Sequence, residues 1–395
     1  MDLALARNAS LAAASAGVSS TMHLERQAGY RPNPAFTLQS ENWRWTGEPS
    51  FNAGQDLDIY AYFSQPIETG GKRSRRVELA QHDTRIAELQ RKATEWRIRQ
   101  NVRQVYLKAF LSQTQLELLA ENNRHFQQVI EFNQIRVEQG ATAEADLIRV
   151  KLEGDRLKVA EDIAAMELDR ACTELIRAMG LTAPVGLFRL VPPPEASSES
   201  RVPAMPELLQ VAHTHRVDVQ LAQAMVERAR TQLNLQESLA KPDVNAVFGY
   251  KRVSGYDTLL AGMTVPLPIF NHNTGNIASS TLEIERTQSQ RQAVLAQVDA
   301  DVAEALAGLQ RRQVMLDSMQ KGMLERAEQS AQIALAAYQE GGSDLLRLLD
   351  AQRVRNEARL LYMQTRIEFQ LSQVELESAV GTENIPVREE SPRVN

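Results

Sequence analysis

At 395 residues, with a single cysteine and a net charge of −6, the chain has room for two or three ordinary domains, no internal disulfide and no basic surplus for nucleic acid. Ala, Gln, Leu, Glu and Arg dominate while aromatics are scarce, the composition of long helices rather than of a compact α/β enzyme. No apolar run reaches the ~18 residues that a membrane-spanning helix needs, so any crossing of a bilayer must use strands.

Taken in order, Leu3 to Gln27 is Ala-rich and free of proline, which predicts a helix stopped at Gly29. Pro34 to Trp45 and Gln55 to Gln65 read as two strands of a β-hairpin. Along the second, Leu57, Ile59, Ala61 and Phe63 share one face, and Asp56, Asp58, Tyr60 and Tyr62 share the other. From Lys72 to about Arg136 there is neither Pro nor Gly, and Ile98, Val102, Val105, Ala109, Leu116, Leu119, Phe126 and Ile130 recur at coiled-coil steps over ~97 Å. The stretch VEQGATAEADLIRV then supplies a glycine stop at Gly140 with Thr142 as a cap, and a helix from Glu144 to Met179 returns.

A loop rich in Pro and Ser (181–205) leads to a helix from Met205 to Ala240 and a second hairpin, Val244 to Arg252 and Thr258 to Pro266. Val244, Ala246, Phe248 and Tyr250 share a face, as do Leu259, Ala261, Met263 and Val265. A second long helix, Asn276 to Ala337, carries Leu309, Leu316, Met319 and Met323 in one stripe. It ends at YQEGGSDLLRLLDAQ, where Gly341 and Gly342 break the pattern and Ser343 can cap the helix from Asp344 to Val380. Residues 382–395 form a polar tail expected to be disordered.

Gly140 falls on Gly341, Pro66-Ile67 on Pro268-Ile269, and Pro34 on Pro242, at nearly constant spacing. The chain is therefore read as a tandem duplication, 1–203 and 204–381, making one mainly α body of long antiparallel coiled-coil helices with four strands. Each long helix needs an antiparallel neighbour of equal length. Glu144–Met179 stacked on Met205–Ala240 matches the first, at ~54 Å each, but the N-terminal helix comes out one or two turns short for the second. That shortfall, with no export signal in view, predicts that the chain starts upstream of Met1.

Four strands of about ten residues, each with one apolar face, have transmembrane proportions but cannot close a barrel alone. Copies must assemble, and three would give twelve strands. A soluble structural coiled-coil protein is the competing class, with an enzyme a distant third. Leu57, Ile59 and Phe63 decide against the soluble form, because lipid explains them and water does not. His213 and His215 point about 200° apart on a helix and so do not share a metal. No Cys cluster, phosphate loop or nucleophile elbow is present, and neither metal, cofactor nor catalytic residue is expected. Cys172 is read as a buried, inert thiol.

The segments ARNASLAAASA, RQAGYRPNPAF, PLPIFNHNTGNI and AYQEGGSDLLRLLDAQR, in the order helix, strand pair, long helix, glycine tip and returning helix, resemble the outer-membrane efflux proteins of the TolC family. Within it they are most similar to the heavy-metal efflux channels of the CzcC and CusC kind. The resemblance implies a trimeric α/β barrel in the outer membrane of a Gram-negative bacterium, extending into the periplasm. It would serve as the passive channel of a tripartite system with a periplasmic membrane-fusion adaptor and a proton-driven inner-membrane pump. It also implies heavy-metal cations as cargo, with a multidrug or type I protein-secretion channel as the alternative. Gly140, Thr142, Gly341, Gly342 and Ser343 are then the adaptor-docking tips. Asp350 matches an acidic position of the family's periplasmic gate, while Arg347 stands where the family has a second acid and is expected to pair with Asp350. Leu57, Ile59, Phe63, Val244, Phe248, Leu259, Met263 and Val265 would face lipid.

Overall fold

The computed structural model describes residues 1–181, 188–193, 203–383 and 385. The predicted tail, apart from 382, 383 and 385, and most of the Pro- and Ser-rich linker lie outside them. The described residues fall into two compact units, each assembled from separate stretches of sequence: Ala13–Arg91 with Asp218–Val294, and Met1–Ala12 with Lys92–Val217 and Leu295–Asn395.

The first of these holds the sheet. Strands β1 (Ala35–Glu41), β2 (Asp58–Ile67), β3 (Val244–Val253) and β4 (Tyr256–Thr264) run in that order, every neighbour antiparallel. The strand edges therefore differ from those expected: Leu57 precedes β2 and Val265 follows β4. Asp58 is not a hydrated charge on a wet face but a buried one. Its carboxylate accepts from Asn42 Nδ2 at 2.7 Å and from the Ser254 amide at 2.9 Å, joining the loops of the two hairpins. Asp56 stands outside the strand, 2.5 Å from Arg44.

Helix α1 (Asp2–Arg7) and helix α2 (Ala9–Ala28) replace the single N-terminal helix expected from the Ala-rich run. Asn8 takes an extended conformation and its Oδ1 accepts from the Ser10 amide at 2.9 Å, so one side chain that caps a new helix interrupts the old one. Where α2 ends, Arg76 closes the chain: it donates to the carbonyls of Ala28 and Tyr30 and pairs with Glu68 at 2.5 Å. Nearby, the buried Lys72 ammonium lies 2.8 Å from Asp243, whose same oxygen accepts from the Thr69 amide. The exit from β2 is thus tied to the entry into β3 by a charge-assisted network.

In the other unit, α3 (Lys72–Glu138) continues unbroken past Lys92 and packs with α4 (Glu144–Ala178), as its seven-residue stripe requires. Ile98, Val102, Ala109 and Leu175 are buried together with Ala4 and Leu11. Gly154 of α4 is where the two helices approach, since a Cβ there would stand 2.7 Å from Ile130 Cδ1. Leu190 joins this core, and Gln113 fixes it by donating to the Leu190 carbonyl at 3.1 Å and accepting from its amide at 2.7 Å. Helices α5 (Met205–His215) and α6 (Val217–Leu239) follow the linker.

The second long helix is not one helix. It comprises α7 (Thr274–Ser318), a π-helical turn (Met319–Met323) and α8 (Leu324–Gln339), followed by α9 (Leu345–Val380). Met319 and Met323, expected in the buried stripe, are not buried. The π turn holds one extra residue, so the buried positions Leu309 and Leu316 continue as Ala331 and Tyr338, one residue later than an unbroken heptad would place them.

Candidate functional site

On the sheet, the register decides which side chains share a face. Phe36 stands opposite Phe63, Phe63 opposite Phe248, and Phe248 opposite Ala261; Leu38, Ala61, Tyr250 and Leu259 form the next row. Met263 pairs with Ala246 in the row beyond. This face is uncovered: Phe36, Phe63 and Phe248 are each about 60% exposed, and Leu38, Leu259 and Met263 are more open still. The opposite face carries Gln39, Tyr60, Tyr62, Asn245, Lys251 and Thr258.

Of the residues predicted to meet lipid, Phe63, Phe248, Leu259 and Met263 are exposed strand residues of the apolar face, and Val244 is a half-buried one. Ile59 shares that face but in a row with Ser40, Arg252 and Asp257, and Leu57 and Val265 lie just outside the strands. Phe36 and Leu38 were missed, although their alternation in β1 was there to be read. Among the described residues, no helix is long and apolar enough to cross a membrane.

The two tips close with the same hydrogen bonds. At the first, the Gly140 amide donates to Val137 O and the Ala141 amide to Arg136 O; at the second, Gly341 donates to Tyr338 O and Gly342 to Ala337 O. Both Gly140 and Gly341 take φ values of +70° and +78°, the left-handed conformation that this closure demands. A Cβ at either would meet nothing, so backbone conformation alone selects glycine there. Gly342 stands outside that region and continues the turn.

The predicted caps are corrected. Ala143 occupies the cap position of α4 without a side-chain bond, which leaves Thr142 outside the role. At the second tip the cap is Asp344, whose Oδ1 accepts from the Arg347 amide at 2.9 Å, and not Ser343. A carboxylate also suits the positive end of the helix better than a hydroxyl does.

Asp350 is exposed and pairs with Arg353 at 2.7 Å, one turn on, rather than with Arg347. Within the chain, Arg347 therefore contributes its backbone amide to the cap and leaves its side chain at the exposed start of α9. Just above the tips lies a cluster that sequence patterns did not reveal. Arg136 is 5.7 Å from the Phe132 ring centre and 5.4 Å from that of Tyr338, and the two rings meet edge to face at 6.2 Å. Tyr338 also donates to Asn133, so α3 and α8 are joined beside both turns.

His213 lies 2.7 Å from Asp299, and His215 lies 3.1 Å from the Val211 carbonyl. Among the described residues, no group of three or more His, Cys, Asp or Glu is placed to hold a metal ion. Cys172 is half-buried rather than buried, and burial, with Asp169 nearby, raises its thiol pKa.

The model of the family described as outer membrane efflux protein matches residues 1–181 and 208–382. The chain is 25% identical to the cobalt-zinc-cadmium resistance protein CzcC of Cupriavidus metallidurans, over 92% of its own length and 84% of that protein's. Among solved structures it is similar to CusC, with a TM-score of 0.77 at 19% identity over 96% of this chain and 91% of the other. It is also similar to the outer membrane protein VceC of Vibrio cholerae, with a TM-score of 0.75 at 18% identity over 96% and 95% of the two chains. The structural likenesses concern the fold.

Proposed function

We propose, starting from the premise that this chain belongs to the outer membrane efflux protein family, that it is the outer-membrane channel of a tripartite efflux system exporting heavy-metal cations. The observation that carries the reading is the sheet: one face apolar and uncovered, the other polar, with β1 and β4 left as open edges. In hydrocarbon, unpaired strand edges cost several kcal/mol per group, so β1 of one copy must pair with β4 of the next. Three copies close a twelve-stranded barrel in the outer membrane, with the polar face lining the water-filled lumen.

The helices support assembly independently. Ile148, Leu152, Val159, Ile163 and Met166 of α4 are all at least half exposed and recur at coiled-coil steps, a stripe that a neighbouring copy would cover. The metal cargo is favoured by the likeness to a cobalt-zinc-cadmium resistance protein. The channel itself is passive: substrate selection and energy belong to a proton-driven pump and a periplasmic adaptor that meets the tips at Gly140 and Gly341. The test is to delete the gene in its host and measure growth against cobalt, zinc and cadmium salts and against a panel of drugs. Selective metal sensitivity supports the reading; sensitivity to drugs alone transfers the channel to multidrug export.

A further inference from the structure

At the helix end of the sheet the chain is basic. Segments 29–34, 68–78 and 240–243, which lead into β1, out of β2 and into β3, carry six cations against three carboxylates, and 265–274 after β4 carries neither. The hairpin end, 41–58 and 251–257, has three cations against five carboxylates. A chain of net charge −6 thus sets a positive border on one end of its apolar face.

Three of the six cations are matched within the fold. Arg76 pairs with Glu68 at 2.5 Å, Lys72 with Asp243 at 2.8 Å and Arg75 with Glu78 at 2.8 Å. The other three, Arg31, Arg73 and Lys241, are exposed, and among the described residues none has a carboxylate within 4.0 Å. Arg73 Nε donates to the Gly29 carbonyl at 2.6 Å, two residues before Arg31, and a Cβ at Gly70 would stand 2.6 Å from Lys241 Cδ, three residues before Arg73. Three segments far apart in sequence therefore bring unmatched charges round one turn. Arg73 does not serve its helix there, since it lies in the first turn of α3, whose positive end disfavours a cation, and no acid stands in that turn. Tyr30, 64% exposed, adjoins Arg31, and Ile67, 49% exposed, ends the apolar face beside Val244. A polar-tipped ring next to open hydrocarbon suits the level of lipid headgroups.

We propose that Arg31, Arg73 and Lys241 bind the phosphodiester headgroup of an anionic phospholipid whose acyl chains lie along the apolar face from Ile67 toward Phe63. The inference rests on the reading of the sheet as membrane-spanning, and it places the site in the leaflet nearer the helices. Arginine presents paired N–H donors that match two phosphate oxygens, Lys241 adds a point charge, and the tails cover apolar surface that a free phosphate would leave in water. A zwitterionic lipid brings its own cation to the same place and gains less.

The test is native mass spectrometry of the full-length protein in maltoside micelles, titrated in parallel with dioleoylphosphatidylglycerol and dioleoylphosphatidylcholine. Phosphatidylglycerol is expected to bind at least about fivefold more tightly, the worth of one Lys or Arg at an anionic membrane surface. The variant Arg31→Gln/Arg73→Gln/Lys241→Gln should bind the two lipids alike, whereas Lys251→Gln, on the polar face, should keep the preference. Because Arg73 also holds the Gly29 carbonyl, the variant Arg31→Gln/Lys241→Gln leaves that bond in place and should still lose most of the preference. Glycerophosphoglycerol, the same headgroup without tails, should bind at least about tenfold more weakly than the lipid. Equal binding of the two lipids by the wild type, a preference that survives in the folded variants, or equal binding of the tail-less headgroup overturns the proposal. Flotation with phosphatidylcholine vesicles separates the premise from the site. Protein that floats but shows no preference loses only the headgroup site, and protein that does not float loses the membrane-spanning sheet and the site with it.

Discussion

The Tyr338 hydroxyl donates to Asn133 Oδ1 at 2.6 Å, both side chains are buried, and the two residues, 205 positions apart, belong to α8 and α3. Asn133 is held in turn, since its Nδ2 donates to the Val129 carbonyl at 2.8 Å. Removing only the hydroxyl leaves an acceptor buried and unpaired, which costs about 1–3 kcal/mol. Tyr338→Phe is therefore expected to lower the melting temperature of the purified channel more than removal of both partners does. In a double-mutant cycle with Asn133→Leu the two losses should not add, and simple additivity would deny the coupling.

Gly249 and Gly262 make a matched pair on the polar face of the sheet. A Cβ at 249 would fall well inside 3.0 Å of the Ala61 carbonyl and the Tyr62 Cα, both backbone atoms of the neighbouring strand that cannot turn aside. At 262 no atom of the same chain lies within 4 Å. Gly249→Ala should force β2 and β3 apart and abolish the assembled, SDS-resistant species on gels, whereas Gly262→Ala should leave it intact. Similar behaviour of the two variants would mean that the sheet closes differently.

What could be read from sequence was what repeats. The glycine turns and the seven-residue stripes of α3 and α4 recur along the chain, and periodic signals survive averaging over local detail. Single-residue events did not show. Asn8 breaks a helix by bonding Ser10, and the π turn at Met319–Met323 inserts one residue into a pattern whose composition hardly changes. Neighbouring candidates of the same chemistry were also exchanged: Asp344 caps where Ser343 was expected, and Arg353 pairs with Asp350 where Arg347 was expected. Position along the backbone separates the residue that acts from the one named in both cases, and at the cap the carboxylate adds to it.

The π turn gives its own prediction. Since it accommodates one extra residue, deleting Gly322 should restore a regular helix while keeping Leu316 and Ala331 on the buried side. The shortened protein is expected to fold and to melt at or above the wild-type temperature. Deleting Ala305 instead, in the regular part of α7, should rotate all that follows by ~100° and destabilise the unit severely. Equal damage from the two deletions would remove the register argument.

Burial raises the pKa of Glu377 against the lowering effect of its ion pair with Arg103. A carboxyl whose folded pKa exceeds its unfolded value holds more protons in the folded state, so its contribution to stability is complete below the unfolded value, about 4.3, and is lost as pH rises through the folded one. The difference in melting temperature between wild type and Glu377→Gln should therefore move against the wild type as pH is raised from about 4 to about 7. In Arg103→Met the opposing attraction is gone, the folded pKa rises further, and the loss should extend to higher pH. A difference that stays flat across the range, or moves in favour of the wild type, would show that Glu377 is not held out of water as the packing of α9 implies.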